Sequence, residues 1–272
     1  MRRLPAPAKI NLALVVGPRR SDGKHEVATV LQAVDLADRI RLSRAPELRV
    51  TGFSPDTLVA RALRLLAERA GVEPRFAAHV DKRIPVAAGL GGGSSDAATA
   101  LRLANETLER PLGERDLEEL ARRLGADVPF FLRPGPKLGT GDGSELVPLE
   151  LPQDYWVVIV APHDRVKPST AAVYEAFDRR GGAEGFDDRR EALREALARM
   201  RRPRDLAALP RNDLGSSPLA DELAALGAFR ADVTGAGPAV YALFHHRESA
   251  DAAARGLRGR GRVWATVPAW YV

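Results

Sequence analysis

The sequence predicts a mixed fold of strands and helices arranged in two halves, and three observations support this. Residues 8–16 alternate as a strand does, residues 56–70 repeat as an amphipathic helix does, and residues 155–161 form a continuous apolar strand. After that strand the chain becomes polar and glycine-rich, so we expect a boundary near 152–156. A length of 272 residues suits one large domain or two of ordinary size.

Further elements follow from helical repeats and apolar runs that end at glycine or proline. Extended chain is predicted over 27–42, with a break at DLADR, and further strands over 76–84, 229–233, 239–244 and 261–267. Helices are predicted over 95–109, 116–125, 187–201, 219–226 and 249–257. The second half therefore closes in a βαβ-like pattern.

The composition argues against disulfide-bonded, thiolate-metal, secreted and membrane-spanning proteins. The chain has no cysteine, which excludes disulfides and thiolate metal sites. Its apolar runs fall short of the roughly 20 residues that a membrane span needs, and Lys9 and Asn11 interrupt the N-terminal run, which makes a poor signal peptide. We therefore expect a cytoplasmic protein that does not bind a membrane.

The net charge of +5 admits nucleic acid as a partner. The arginines are interspersed with acidic residues, however, and no aromatic residues accompany them. This pattern favours solvated helix faces over a nucleic-acid surface, and a mild positive field also suits an anionic small molecule.

A glycine-rich segment, VAAGLGGGSSDAATAL, occupies residues 86–101, between a predicted strand and a predicted helix. Glycine lets backbone N–H groups converge on an anion, and a helix N-terminus adds unpaired N–H groups. The segment matches neither the P-loop nor the dinucleotide-binding motif. Two interpretations stay open: a phosphate cradle, whose serines donate to phosphate or reach Mg²⁺, or a tight turn with Ser94 or Ser95 as N-cap.

The first strand carries a lysine in an otherwise apolar run, and the chain has only five lysines. Asn11 follows Lys9 on the same face, about 7 Å along the strand. A lysine buried there needs a carboxylate or phosphate partner; on an edge strand it would point to water. The face opposite Lys9 is expected to hold four apolar side chains: Ile10, Leu12, Leu14 and Val16.

Two more segments are candidates for chemistry. Asp127 lies among apolar residues in LGADVPFF. Two interpretations are open: a general base, or an N-cap before Pro129. The segment TGAGPAVYALF, from residue 234, joins a polar turn to an apolar strand. It is either a hairpin turn or a second backbone wall against phosphate.

Five segments together resemble one known family in their order and spacing. They are PAKINL (7–12), SDGKHE (21–26), KRIPVAAGLGGGSSDAA (82–98), LGADVPFF (124–131) and TGAGPAVY (234–241). The chain resembles the 4-diphosphocytidyl-2-C-methyl-D-erythritol kinases, a branch of the GHMP small-molecule kinases. The glycine segment indicates the superfamily, and PAKINL together with DGKHE and GADVPFF indicates this branch.

This resemblance implies an α+β fold with two domains, 1–154 and 155–272. The first would be like ribosomal protein S5 domain 2 and would bind ATP; the second would be ferredoxin-like. The activity implied is transfer of the γ-phosphoryl group of ATP, with Mg²⁺, to the 2-hydroxyl of the methylerythritol unit, in the non-mevalonate route to isoprenoid precursors. The implied partner is a substrate carrying cytidine diphosphate, without nucleic acid, and the expected state is a monomer or a weak homodimer.

The resemblance also assigns roles to residues. Asp127 would accept the proton of the hydroxyl, while Lys9 would keep Asp127 ionised and neutralise the phosphoryl group. The substrate would contact Asn11, His25, Thr170 and Tyr174, with His25 on the cytosine and Thr170 near the diphosphate. ATP would contact Lys82, Gly89, Leu90, Gly91, Gly92, Gly93, Ser94 and Ser95. The metal ligands are not identified by the sequence.

Four positions depart from the family pattern, one of them Thr57, which stands where asparagine is common in the segment that aligns with the family's adenine pocket. Lys24 replaces the tyrosine of DGYHE, which stacks on cytosine, and Thr234 and Ala236 replace the serines of SGSGP. The Lys24 departure is the best support for a rival function, a GHMP kinase acting on another small alcohol such as homoserine or mevalonate. A second rival is a non-catalytic RNA-associated protein, which would not need Lys9 or Asp127.

Overall fold

The computed structural model describes residues 1–53, 57–163 and 169–270. The strands in this part of the chain are β1 (Arg2–Arg19), β2 (His25–Arg44), β3 (Arg49–Thr51), β4 (Phe76–Asp81), β5 (Lys137–Thr140), β6 (Glu145–Pro148), β7 (Trp156–Pro162), β8 (Arg230–Val233), β9 (Val240–Phe244) and β10 (Gly261–Thr266). The α-helices are α1 (Thr57–Ala70), α2 (Gly92–Asn105), α3 (Glu114–Leu124), α4 (Thr170–Arg179), α5 (Phe186–Ala198), α6 (Pro218–Ala225) and α7 (Arg247–Gly256). Short 3₁₀ helices cover Pro129–Leu132 and Pro203–Ala208.

The strands form two sheets, which confirms the expected α+β architecture. The first sheet has the order β3-β4-β2-β5-β6, with the long strand β1 paired antiparallel to β2. Helices α1, α2 and α3 supply apolar side chains to its core, where Leu63, Leu101 and Leu120 pack with Phe76. This burial is what the amphipathic repeat of residues 57–70 requires.

The second sheet has the order β10-β7-β9-β8, and its neighbouring strands are antiparallel. The order of elements along the chain is ferredoxin-like. Strand β7 is followed by helices, then by β8 and β9, then by α7 and finally by β10. Both faces of β7 are covered: Val158 and Val160 pack with α6 and α7, while Val157 and Ile159 share a core with β1. This explains why residues 155–161 are apolar throughout instead of alternating.

The expected alternation in β1 fails at its middle. The pairing of β1 with β2 shifts register between Asn11 and Ala13, so the strand bulges there. Ile10 and Leu12 pack in the core shared with the second sheet, but Leu14 and Val16 pack in a separate cluster. The prediction that these four residues share one face is therefore wrong, because one residue absorbed by a bulge exchanges the two faces.

Other boundaries differ for local reasons. The predicted break at DLADR does not interrupt β2; an irregularity in pairing with Pro7 and Ala8 accommodates it. Helix α2 begins earlier than predicted, at Gly92, and ends at Asn105. Helix α4 was not expected, while Asp56, the predicted start of the first helix, lies outside the described residues.

The two halves meet along β1 and the loop 234–239. The hydroxyl of Tyr241 donates to the carbonyl of Leu12 at 3.2 Å, and the N–H of Asp213 donates to the carbonyl of Leu14 at 2.9 Å. The N–H of Ala239 donates to the carbonyl of Ala88 at 3.1 Å. Among the helices that the structure describes, none has the length and hydropathy needed to cross a lipid bilayer.

Candidate active site

A cleft of about 540 Å³ lies where these contacts join the halves. It is lined by the segment 85–94, by residues of β1 including Lys9, Asn11 and Leu14, and by Asp127. Thr170 and Tyr174 of α4 line it from the other half. Its volume is typical of a small-molecule site. The bulge in β1 explains how Leu14 comes to line the same cleft as Lys9.

The glycine segment leads directly into α2 without a side-chain cap. Gly91 has φ of 69°, in the left-handed region, and the first α-helical bond runs from the N–H of Ser95 to the carbonyl of Gly91. The N–H groups of residues 92–94 therefore have no partner within the helix, and these residues line the cleft. The alternative that Ser94 or Ser95 caps the helix is wrong.

Close packing explains why glycine is needed at two of these positions. A Cβ on Gly91 would lie 2.9 Å from Cγ of Lys9, and a Cβ on Gly89 would lie 2.3 Å from the carbonyl oxygen of Thr234. Gly89 also has φ of 87°. The segment is thus pressed between β1 and the loop that begins at Thr234, which leaves no space for side chains.

The second glycine loop is a hairpin turn that also borders the cleft. It joins β8 to β9 as a hairpin, and Gly235 and Ala236 also line the cleft. A Cβ on Gly237 would lie 2.1 Å from the carbonyl oxygen of Ala88, so the two glycine-rich loops are in backbone contact. The hairpin thereby forms a wall of the cleft beside residues 88–89.

Lys9 is buried, with 4% of its surface exposed, so it is not an edge-strand lysine facing water. Its Nζ donates to Oδ1 of Asn11 at 2.7 Å, and Nδ2 of Asn11 donates to the hydroxyl of Thr29 at 2.8 Å. The hydroxyl of Thr234 donates to Oδ1 of Asn11 at 3.3 Å, and also accepts the N–H of Asn11. Asn11 is therefore held rigidly, and it directs the ammonium group of Lys9.

Asp127 provides the carboxylate partner that a buried lysine needs. Its Oδ2 lies 3.6 Å from Nζ of Lys9, and 44% of its side chain is exposed. The 3₁₀ helix that begins at Pro129 has Val128 as its N-cap and no side-chain cap, so Asp127 is not a cap. The carboxylate is available for hydrogen bonding to a molecule in the cleft.

Lys82 is held between two carboxylates. Its Nζ donates to Asp38 and to Asp96 at 2.6 Å each, and both carboxyl groups are fully buried. Burial by itself would lower the pKa of Lys82, but the two carboxylates raise it above its ordinary value. Because Asp96 lies in α2 and Asp38 in β2, Lys82 ties the start of the helix to the sheet.

The remaining predicted substrate residues cluster at α4. The ring of His25 is buried and lies 4.8 Å from that of Tyr174, and its Nε2 lies 2.7 Å from Oδ1 of Asp178. Lys24 forms an ion pair with Asp142, which lines the cleft. Lys167, three residues before Thr170, lies outside the described residues.

Sequence reasoning missed several polar residues around the cleft. Thr29 and Asp38 lie in β2 beyond the end of the SDGKHE motif, and Asp142 lies in the turn between β5 and β6. Asp178 carries one usable signal, because it follows Tyr174 by four residues and shares a helix face with it. That signal was lost because α4 itself was not predicted.

Hydrogen bonding leaves the pKa of Asp142 well below its usual range. Burial alone would raise it, but bonds from Lys24 and from the side chain and backbone of Ser144 bring the pKa of Asp142 to about 2. The carboxylate is therefore charged at neutral pH, and it neutralises Lys24 at the rim of the cleft.

Known proteins resemble this chain over most of its length. Models of the GHMP kinases match it in two places, the N-terminal domain at residues 57–135 and the C-terminal domain at residues 188–263. The 4-diphosphocytidyl-2-C-methyl-D-erythritol kinase of Geobacter sulfurreducens is 37% identical over 274 residues, covering 97% of each chain. That of Solidesulfovibrio magneticus is 40% identical over 286 residues, covering 95% of this chain and 93% of the relative.

A solved structure extends the likeness to three dimensions. The crystal structure of a 4-(cytidine 5'-diphospho)-2C-methyl-D-erythritol kinase superposes with a TM-score of 0.80 and 34% identity, covering 98% of this chain and 99% of that one. With both domain models matched and the relatives covered almost end to end, the chain belongs to the GHMP kinases, within the branch of the 4-diphosphocytidyl-2-C-methyl-D-erythritol kinases.

Proposed function

We propose that this chain transfers the γ-phosphoryl group of ATP to the 2-hydroxyl of 4-diphosphocytidyl-2-C-methyl-D-erythritol, a step in making isoprenoid precursors. The observation that carries the proposal is the Lys9–Asp127 pair, which shares one cleft with the uncapped start of α2. Family membership supplies the reaction class, and this pair supplies the groups that phosphoryl transfer needs.

The phosphates of ATP would bind at the glycine segment, on residues 89–95. The unpaired N–H groups of residues 92–94 and the positive end of the α2 dipole favour an anion there. Lys82 would act mainly through α2, because its ammonium group already has two carboxylate partners. Its Nζ would lie 3.1 Å from a Cβ built on Gly92, so it borders the same segment.

The same segment fits a Mg²⁺ ion carried by the nucleotide. The hydroxyl of Ser95 is fully buried and has no hydrogen-bond partner among the described residues, so it is available as an oxygen ligand or a phosphate donor. No group of three or more His, Cys, Asp or Glu residues that could hold a metal occurs in the described ranges. Most ligands of the ion would then come from ATP phosphates and water, as is usual for Mg²⁺. When bound, the ion would reduce the negative charge of the phosphates.

In the reaction, the oxygen of the substrate hydroxyl forms a bond to the γ-phosphorus, while the bond from that phosphorus to the β–γ bridging oxygen breaks and releases ADP. The hydroxyl proton passes to Asp127, whose side chain is 44% exposed and lines the cleft. Lys9 would stabilise the charge on the transferring group, and its bond to Asn11 orients it for that role.

The cytidine diphosphate part of the substrate would lie toward α4. Tyr174 offers an aromatic face, His25 packs against it, and Thr170 is the first residue of the helix, whose N-terminus suits a diphosphate. Asn11 would contact the substrate near the reacting hydroxyl. Lys24, in place of tyrosine, offers no aromatic platform on the other side.

Three further expectations belong to the same proposal. The first sheet and the second would correspond to domains 1–154 and 155–272, a division supported by the change of sheet between β6 and β7. We also propose a cytoplasmic enzyme that works as a monomer or a weak homodimer.

The test is a direct panel of phosphate acceptors with Mg·ATP, read by ADP release and by ³¹P NMR of the product. The cytidyl substrate should be preferred over homoserine and mevalonate, and the new phosphate should be a monoester on the tertiary carbon. Clear preference for another alcohol would overturn the assignment. Salt-sensitive RNA binding with no turnover of any acceptor would instead favour the non-catalytic rival.

A further inference from the structure

Lys137, the first residue of β5, is a buried lysine with no carboxylate partner in the part of the chain that the structure describes. Only 3% of its surface is exposed. Lys9, Lys24 and Lys82, by contrast, each form an ion pair with an aspartate. Burial, with a smaller effect of the charge on Arg133, lowers the pKa of Lys137 to about 8. An ammonium group buried at such a cost needs compensation from other polar atoms.

The compensation comes from four backbone carbonyls, which we call the carbonyl cage. Nζ of Lys137 donates to the carbonyls of Arg133 at 2.6 Å, Gly135 at 3.1 Å, and Phe130 and Pro134 at 3.2 Å each. Nζ also lies 4.7 Å from the centre of the Phe130 ring, a cation–π contact. Groups of backbone carbonyls bind K⁺ by replacing its hydration shell. The ammonium group of Lys137 therefore occupies a position with the chemistry of a monovalent-cation site.

The carbonyl cage closes the segment that carries Asp127. Asp127 lies two residues before the 3₁₀ helix Pro129–Leu132, and the cage carbonyls come from that helix and from the three residues after Leu132. Between the two ends, Phe131 packs against the start of α2, because a Cβ built on Gly91 would lie 3.1 Å from its Cζ. One end of the segment thus borders the cleft, while Lys137 holds the other end.

Neighbouring strands of the first sheet hold the two members of the proposed catalytic pair. On one side, Thr29 of β2 accepts a hydrogen bond from Asn11, which in turn accepts one from Lys9. On the other side, Lys137 of β5 holds the segment of Asp127. Strand β5 pairs with the part of β2 that contains Thr29. The separation of Lys9 and Asp127 therefore depends on contacts made by two adjacent strands.

We propose that Lys137 is a positioning residue, which takes the place of a monovalent cation in the carbonyl cage and thereby fixes Asp127 relative to Lys9. The proposal rests on the proposed function, because Asp127 is the proposed base. Lys137 does not line the cleft, so it acts through the segment that it holds. Such a role matters because a displacement of about 1 Å in a reacting group can reduce the rate about 10²-fold.

The first variant is Lys137→Met, which keeps most of the unbranched apolar side chain but loses the charge and the donors. Measured well below the melting temperature, kcat should fall roughly tenfold to a hundredfold, with a much smaller change in the KM for Mg·ATP. Arg122→Met, which removes an exposed positive charge from α3, is the control and should leave the kinetics unchanged. Lower thermal stability with a wild-type kcat in Lys137→Met would show a merely structural role and overturn the proposal.

The second variant, Lys137→Ala, removes the ammonium group from the cage and admits a free cation. KCl or NH₄Cl should raise kcat of Lys137→Ala several-fold above its value in choline chloride of equal ionic strength. The wild type and Arg122→Met should show no such difference between the salts. If kcat of Lys137→Ala were equally low in all three salts, the cage would not act as a cation site, and the proposal would be wrong.

A double variant tests whether Lys137 acts through Asp127. In the background of Asp127→Asn the segment no longer carries the base, so adding Lys137→Met should lower kcat by less than about threefold. A loss as large as in the wild-type background would contradict positioning of Asp127.

A readout without substrate separates this proposal from the proposed function. In thermal unfolding, KCl should raise the melting temperature of Lys137→Ala relative to choline chloride, and should do so more than for the wild type, because the cation binds only the folded cage. Equal melting temperatures in the two salts would overturn the cage as a cation site. If the wild type phosphorylated no cytidyl acceptor, the proposed function would fail, while the unfolding result would still judge the cage.

Discussion

The ammonium nitrogen of Lys9 lies 3.6 Å from a carboxylate oxygen of Asp127, and the two partners differ sharply in exposure. Lys9 is 4% exposed, whereas 44% of the Asp127 side chain is open to solvent. The cation is thus fixed within the protein, while the carboxylate keeps an open side toward the cleft. This asymmetry suits a base that must reach a substrate hydroxyl beside a cation that must not move.

Replacing the proposed base should affect turnover far more than binding. In Asp127→Asn we expect kcat to fall by roughly 10²–10⁴-fold, because the proton of the hydroxyl loses its acceptor. The dissociation constant for ATP should change little, since the loss is confined to the transition state. Steady-state kinetics and calorimetric nucleotide binding measure the two. The control is Asp154→Asn, which alters an exposed acidic residue. Unchanged turnover in Asp127→Asn would exclude Asp127 as the base.

Lys9 and Asp127 should act as one unit. Lys9→Met keeps most of the unbranched side chain but removes its charge and its bond to Asn11, so kcat should fall strongly. In the double variant with Asp127→Asn, the losses in log kcat should be clearly less than additive, as is typical of residues in direct contact. Arg115→Met removes an exposed positive charge from α3 and controls for net charge. Simple additivity of the two losses would contradict a shared role.

The buried hydroxyl of Ser95 allows stability and function to be separated. Ser95→Ala removes a group that has no hydrogen-bond partner among the described residues, so the free energy of unfolding without ligands should stay within about 0.5 kcal/mol of the wild type. The KM for Mg·ATP should nevertheless rise roughly tenfold or more, because a bond to a charged ligand is lost. The KM for the cytidyl substrate should change less, and Ser94→Ala should follow the same pattern.

A matched serine should show the opposite behaviour. Ser217 caps α6, where its hydroxyl accepts the N–H of Leu219 at 3.4 Å. Ser217→Ala should lower the free energy of unfolding by about 1 kcal/mol, as loss of an N-cap does, and leave the KM for Mg·ATP unchanged. Thermal unfolding and steady-state kinetics of both variants make the comparison. If Ser95→Ala raised the KM for the cytidyl substrate more than the KM for Mg·ATP, the assignment of residues 89–95 to ATP would be wrong.

The ion pair of Lys24 and Asp142 should be visible in acid titration. The pKa of Asp142 is about 2 in the folded protein, below that of the unfolded chain, so its contribution to stability is full above the unfolded value and is lost as the pH falls through about 2. Lys24→Gln removes the ion pair but leaves the bonds from Ser144. The pKa of Asp142, followed by NMR, should rise in that variant; an unchanged pKa would show that Lys24 does not stabilise the carboxylate.

Local patterns were sufficient for elements whose signals are local. Helices α1 and α3 follow from apolar repeats that end at glycine, and β7 follows from a continuous apolar run. The same reasoning failed at Leu12, because a bulge depends on how the partner strand pairs, which the strand's own residues do not encode. It also missed α4, the source of Tyr174 and Asp178.

Motifs identified the family and the candidate residues, but their chemistry stayed ambiguous until distant segments were brought together. The pattern around Lys9 alone favoured an exposed edge residue, Asp127 was also interpreted as a helix cap, and the hairpin at 234–239 was also interpreted as a simple turn. The contact of Lys9 with Asp127 decided the first, and the contact of residue 237 with Ala88 showed that the hairpin turn also borders the cleft.

The amino-acid sequence alone therefore determined the family, the mixed helix and strand content, and the glycine segment that begins α2. Only the tertiary structure decided that the lysine is buried, that its partner keeps an open side, and that Asp178 binds His25. The reason is physical: backbone conformation depends on neighbours in the chain, whereas burial and charge pairing depend on neighbours in space.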